Sequence, residues 1–208
     1  SSLDYVYRNT ANGRGILGRL IDRTYLDAIG WRGVRRRKLH IEELLRQSMD
    51  DLHRDGRSVS ILDVAAGGGR YVLDALRQCA RMPKSIVLRD YGEDNVRLLD
   101  AVIRERGLAD IACAMRGDAF DAASLAATSP PATIGIVSGL YELFPENAPV
   151  CRSLSGLAQA IEAGGYLIYT GQPWHPQLEL TARTLTTHRG GSPWVMRRRT
   201  QAELDQLV

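Results

Sequence analysis

Short apolar runs recur along this chain, each followed by a stretch with helical spacing. Val59, Ile61, Leu62 and Val64 form the first run, and its β-branched character predicts a buried parallel strand. Gly67, Gly68 and Gly69 follow at once, and Tyr71, Val72, Leu73, Leu76 and Cys79 then recur at the period of a helix. A second run, Ser85 to Leu88, ends at Asp90. Val96, Leu99, Val102 and Ile103 mark a helix over 95–106, with Gly107 as its C-cap. Ile111 to Met115 predicts a third strand, Thr133 to Val137 a fourth and Tyr166 to Tyr169 a fifth. A helix over 148–163, stopped by Gly164 and Gly165, fills the last gap, and Thr200 with Glu203 reads as the capping pair of a further helix. Alternating strands and helices predict an α/β fold, a parallel sheet with helices on both faces.

Before the first strand the pattern is helical only. Leu17, Leu20, Ile21 and Tyr25 share one face, and Ile41, Leu44, Leu45, Met49 and Leu52 repeat at three and four until Gly56. We expect a helical cap over 1–57 and an α/β core over 58–208, together one structural domain.

Composition narrows the class. The chain has 208 residues, 44% hydrophobic and 25% charged, as in an ordinary globular domain. No apolar run reaches membrane-spanning length, and no signal peptide opens the sequence. Cys79, Cys113 and Cys151 are far apart without a C-x-x-C pair, which argues against a disulfide framework or a metal site and fits the cytoplasm. The start at Ser1-Ser2 and the end at Val208 within a helical pattern suggest a piece of a longer protein.

Net charge is +3, and the excess lies early: residues 1–57 hold 12 Lys+Arg against 8 Asp+Glu, mostly through Arg35, Arg36, Arg37 and Lys38. Such a run could meet a nucleic acid or an anionic lipid surface; with only four charges, and only Trp31 nearby to stack on bases, a solvated helix face is the expected reading.

The chemistry gathers at strand ends. Asp63-Val64-Ala65-Ala66-Gly67-Gly68-Gly69 reads D-x-A-x-G-x-G. A dinucleotide fingerprint needs a glycine at position 72, where this chain has valine. Asp90 ends the next strand about twenty residues on, where a carboxylate can accept both hydrogen bonds of a ribose diol. The glycine run, Asp90, Gly117-Asp118-Ala119 and the strand order together resemble the class I S-adenosylmethionine (SAM) methyltransferases. Motif I carries Ala65 in place of the usual first glycine.

That resemblance implies a Rossmann-like sheet and a SAM site formed by Asp63, Ala65, Ala66, Gly67, Gly69, Asp90, Tyr91, Asp118, Ala119 and Ser138. Asp118 would receive the adenine amino group, or cap the helix starting at Ala122, or both. The resemblance also implies strands six and seven, which this chain lacks, leaving about five strands. The exposed edge at the fifth strand should then be covered by residues 190–199 or by another chain. The N-terminal stretch and SGLYELFPEN further resemble a methyltransferase domain joined to an α/β-hydrolase-like domain in bacterial two-domain proteins.

A methyl acceptor that holds its proton needs a base. The crevice candidates are Tyr141, Glu142 and His175, each with a plain structural role as the alternative. SGLY after the fourth strand is not the N/D-P-P-Y/F of adenine or glutamine methylation, and no cysteine sits at a strand end for attack on cytosine. A small-molecule or lipid-like acceptor remains. The rival functions are a nicotinamide-dependent oxidoreductase, whose G-x-G-x-x-G and Tyr-x-x-x-Lys are absent, and a non-catalytic SAM-binding module serving a larger protein.

Overall fold

The computed structural model describes residues 2–186, 191 and 193–208. Three helices come first: α1 (Ser2–Arg8), α2 (Gly15–Leu26) and α3 (Ile29–Arg54). Then strands and helices alternate as β1 (Ser60–Val64), α4 (Arg70–Ala75), β2 (Ser85–Asp90), α5 (Glu93–Glu105), β3 (Ala112–Arg116), α6 (Ala122–Ala126), β4 (Ala132–Val137), α7 (Asn147–Ala160) and β5 (Ile161–Tyr169). Helices α8 (Leu178–Thr184) and α9 (Gln201–Asp205) close the chain.

All five strands are parallel, in the order β3-β2-β1-β4-β5. The order reverses between β1 and β4, so the loops after those two strands diverge and open a crevice there. Both faces of the sheet are covered. One cluster packs Ile61, Ile86, Leu88, Ile134 and Ile136 under Leu45, Met49 and Leu52 of α3 and Leu99 and Ile103 of α5. The other packs Leu62, Val64 and Val137 under Leu125 of α6 and Val150, Leu154 and Leu157 of α7.

Three expectations change. Helix α7 stops at Ala160, because Ile161 already takes an extended conformation and pairs with Ala132. The Gly164-Gly165 pair therefore lies inside β5, where the register shifts. Gly165 approaches so closely that a Cβ there would meet the Thr133 carbonyl oxygen at 2.6 Å. Helix α3 begins at Ile29, twelve residues before the apolar repeat opens at Ile41. Among the described residues, 193–199 do not supply the expected cover for the β5 edge: they bond to residues 141–147 and to Leu185, while Gly190 and Ser192 lie outside the described residues. Only its C-terminal end meets α9, through Tyr169 with Asp205 and Gln201.

Candidate functional site

The loop after β1 turns through left-handed backbone at Ala65 (φ 56°), Gly67 (φ 58°) and Gly69 (φ 58°). Glycine takes that conformation freely, and alanine does so at a cost of about 1 kcal/mol. Ala65 thus occupies the backbone geometry that explains why glycine is usual there. Ala66 N–H donates to the Arg89 carbonyl at 2.9 Å and Gly69 N–H to the Ala66 carbonyl at 2.8 Å, which lock the turn against β2. A Cβ on Gly67 would have nothing within 4 Å, so the space over this loop is open. A Cβ on Gly68 would meet Asp4 Oδ1 at 3.4 Å, because α1 reaches across the turn. Asp4 holds that position by pairing with Arg70 at 2.7 Å and with Arg8 at 2.9 Å.

Asp90 lies at the end of β2 and is almost fully buried. Its Oδ2 accepts from Gly67 N–H at 2.8 Å, and its Oδ1 accepts from Gly92 N–H at 2.8 Å and Asn95 Nδ2 at 3.0 Å. A carboxylate has about four acceptor positions. With three in use, Asp90 holds the glycine loop in shape and has room for one more donor, not for both hydroxyls of a diol.

Asp63, at the end of β1, is fully buried; its Oδ1 accepts from the Tyr71 hydroxyl at 2.8 Å and its Oδ2 has no partner. Burial pushes its carboxyl well above the ordinary range, against the Tyr71 hydrogen bond. Ser138 Oγ, just after β4, is likewise buried without a partner. Tyr91 is 65% exposed beside β2, with the Arg116 guanidinium 5.8 Å from its ring centre. Asp118 is exposed. It accepts from Phe120 N–H at 2.9 Å and does not cap α6, because Asp121 does so through Ser124 N–H at 3.0 Å. Ala119 is buried against the second cluster. Arg89, which sequence reasoning passed over, is buried under this turn and donates to the Ser124 carbonyl at 2.9 Å and Oγ at 2.6 Å. Gly117 is glycine because a side chain there would run into that guanidinium.

The second half of the site follows β4. Tyr141 points away from the crevice: it is buried in the second cluster, its hydroxyl donates to Ser153 Oγ at 2.9 Å, and burial pushes its pKa up to about 12. Glu142 is 5% exposed; Oε1 accepts from Arg37 Nη1 at 2.9 Å, while Oε2 is buried without a partner. Burial, the largest influence, works against the Arg37 charge, but Glu142 and Tyr7 together more than offset it and raise the guanidinium pKa. Arg37 and Lys38 are therefore not a solvated face, since Lys38 bridges Glu42 and, at 2.9 Å, Asp74. His175 Nδ1 accepts from Gln177 N–H at 3.2 Å, which places the proton of the neutral ring on Nε2. Burial lowers its pKa, opposed by the nearby Glu142 charge. In that tautomer His175 is a donor, and its accepting nitrogen is already used.

Glu142, His175 and Gln172 face a cavity of about 150 Å³ whose other walls include Trp31, Leu143, Leu180, Trp194 and Met196. Trp194 Nε1 is buried there without a partner. Volume and lining match a ring-sized apolar group bearing a polar handle.

The two halves test the fit of an adenosyl cofactor. An open left-handed glycine turn, one free acceptor position on Asp90, orphaned polar atoms on Asp63 and Ser138, and the exposed ring of Tyr91 and carboxylate of Asp118 all lie at the C-terminal ends of neighbouring strands. These residues fit such a group. Among the described residues, no cluster of His, Cys, Asp and Glu is arranged to hold a metal ion.

A family model described as "Putative methyltransferase" matches residues 1–208. The chain is 54% identical over 208 residues to the uncharacterized protein YnbC of Escherichia coli (strain K12), and spans 35% of that protein's length. A possible exported protein of Bordetella parapertussis superposes with a TM-score of 0.69 at 20% identity, over 99% of this chain and 70% of that one. A SAM-dependent methyltransferase of Methanosarcina mazei superposes with a TM-score of 0.52 at 18% identity, over 72% of this chain and 77% of that one. The likenesses to solved structures establish the Rossmann-like methyltransferase fold.

Proposed function

Because the chain belongs to the family described as "Putative methyltransferase", we propose that it moves a methyl group from SAM to a small, largely apolar acceptor. The observation that carries this reading is the glycine turn pinned by Asp90 at the sheet's switch point, with an apolar cavity beside the neighbouring strand end. The residues that would hold the cofactor are Asp63, Ala65, Ala66, Gly67, Gly69, Asp90, Tyr91, Asp118, Ala119 and Ser138. When bound, SAM supplies an electrophilic methyl on a sulfonium, so no acyl or metal chemistry is asked of the chain.

The chain's own work is positioning and exclusion of water. Walls from Trp31, Trp194 and Met196 orient the acceptor, and Trp194 Nε1 is free to donate to it. Glu142 Oε2 is the open acceptor for the proton of a hydroxyl or amine nucleophile, and Arg37 holds its carboxylate in place. His175 Nε2–H serves as a donor. Tyr141, turned into the core, has no part in this proposal.

We place the domain inside a longer protein, joined to an α/β-hydrolase-like domain, on the strength of the N-terminal resemblance. The cytoplasm is our proposed location, because Cys79, Cys113 and Cys151 are free thiols. Separate calorimetric titrations with S-adenosylhomocysteine and with NADH test the main reading. Binding of the first at a Kd on the order of micromolar, about −8 kcal/mol, with no heat from NADH, is expected. The reverse pattern assigns the fold to hydride transfer instead.

A further inference from the structure

Helix α2 is amphipathic, and its apolar side faces outward. Ile16, Leu17, Leu20 and Ile21 are 84%, 70%, 62% and 62% exposed, and at 3.6 residues per turn they share one side with Tyr25. The other side is anchored. Leu26 is buried, and Asp22 accepts from the Tyr5 hydroxyl, from Asn12 N–H at 2.6 Å and from Gly13 N–H at 3.1 Å. The helix is thus held with its aliphatic side toward solvent. Each such side chain forgoes about 1.5–3 kcal/mol of burial, and a contiguous patch of four marks an interaction surface.

Charge identifies the partner. Residues 1–38 hold nine Lys+Arg (Arg8, Arg14, Arg19, Arg23, Arg32, Arg35, Arg36, Arg37, Lys38) and three acids (Asp4, Asp22, Asp27), a net +6, and a positive excess remains after setting aside Arg37 and Lys38, which pair inward with Glu142, Glu42 and Asp74. Arg14 and Arg19 border the apolar side directly, and Arg32 and Arg36 are exposed at the start of α3. None of these four enters a salt bridge among the described residues. An apolar helix side edged with free arginines matches an anionic lipid surface, where aliphatic side chains sink below the headgroups and guanidinium groups meet phosphate. A second copy would bring the same positive excess to the contact and repel.

The patch also runs on into the molecule. Tyr25, 37% exposed, also lines the apolar cavity, and its ring packs 5.6 Å from that of Trp31, another wall residue. We infer that α2 lies in the headgroup layer of an anionic membrane, and that the acceptor is an amphiphile entering from that layer past Tyr25 and Trp31. The choice of acceptor rests on the methyl-transfer reading; the membrane contact does not.

The full chain is sedimented with phosphatidylcholine vesicles and with vesicles holding roughly one-third phosphatidylglycerol, at low and high salt. It should pellet with the anionic vesicles only, and less as salt rises. Leu17→Asp combined with Ile21→Asp should weaken vesicle binding about tenfold or more, with circular dichroism and S-adenosylhomocysteine affinity unchanged. Failure to bind anionic vesicles overturns the inference, as does equal binding by the double variant. If the double variant instead converts an oligomer to a monomer, the side belongs to a second copy and the membrane assignment falls. Vesicle binding without any affinity for S-adenosylhomocysteine keeps the surface and discards the cofactor reading.

Discussion

Asp90 is the residue whose replacement says most about how the site is built. Its carboxylate receives three hydrogen bonds, from Gly67 N–H, Gly92 N–H and Asn95 Nδ2, while almost wholly buried. In Asp90→Asn one oxygen remains, and it can keep Gly92 and Asn95. The new amide NH2 then faces Gly67 N–H, donor against donor. One charge-assisted bond worth about 1.5–3 kcal/mol is lost, and the two bonds that stay lose their charge assistance. We expect a net loss of about 2–3 kcal/mol, or roughly 4–12 °C in Tm for a domain of this size. Thermal unfolding followed by circular dichroism measures it. An unchanged Tm would mean that the loop does not depend on this carboxylate, and the physical account of the glycine turn would fail. One consequence concerns ligand work: lost SAM affinity in an Asp90 variant mixes a damaged loop with a missing contact. Tyr91 and Asp118, both exposed and neither bonded to the glycine turn among the described residues, are the cleaner positions at which to test the proposed cofactor contacts.

Two further perturbations bear on the same loop. Ala65 sits at φ 56°, so Ala65→Gly relieves left-handed strain and should raise stability by about 0.5–1 kcal/mol in urea unfolding, where a loss would contradict the assigned backbone. Asp63 has its folded-state pKa raised by burial. Its stabilising share is therefore complete below the ordinary carboxylate pKa of about 3.9 and is lost as pH rises through the higher folded value. Asp63→Asn should remove that pH slope and gain on the order of 1–3 kcal/mol at pH 7. A variant no more stable than wild type at pH 7 would show that Oδ2 is satisfied after all.

How much was legible in the sequence follows from what an apolar pattern can report. Strands β1, β2 and β4 are nearly continuous apolar runs because both faces of the sheet are covered, and their ends at Val64, Asp90 and Val137 could be read to the residue. The start of β5 was hidden, since Ala158 to Ala163 suits a helix as well as a strand, and pairing of Ile161 with Ala132 decides it. Helix α3 was read short because its first turns carry Arg35, Arg36, Arg37 and Lys38 in place of apolar residues. Arg37 and Lys38 nevertheless point inward, satisfied by Glu142 and Asp74 from other elements. Ion pairs across tertiary contacts leave no periodic trace in one sequence. The same holds for Arg89, and for Tyr141, whose place after a strand end suggested the crevice while Ser153 on α7 draws its hydroxyl into the core. Gly117 offered a signal for Arg89 only in hindsight, as a position where no side chain fits.

The central claim is that backbone at 65–69 receives an adenosyl ligand. Hydrogen–deuterium exchange of the peptide spanning 63–72, with and without S-adenosylhomocysteine, tests it most directly. Slower exchange there, together with the segments around Tyr91 and Asp118, is the predicted result. Unchanged exchange across 63–72 while the ligand binds and protects some other part of the chain would contradict it.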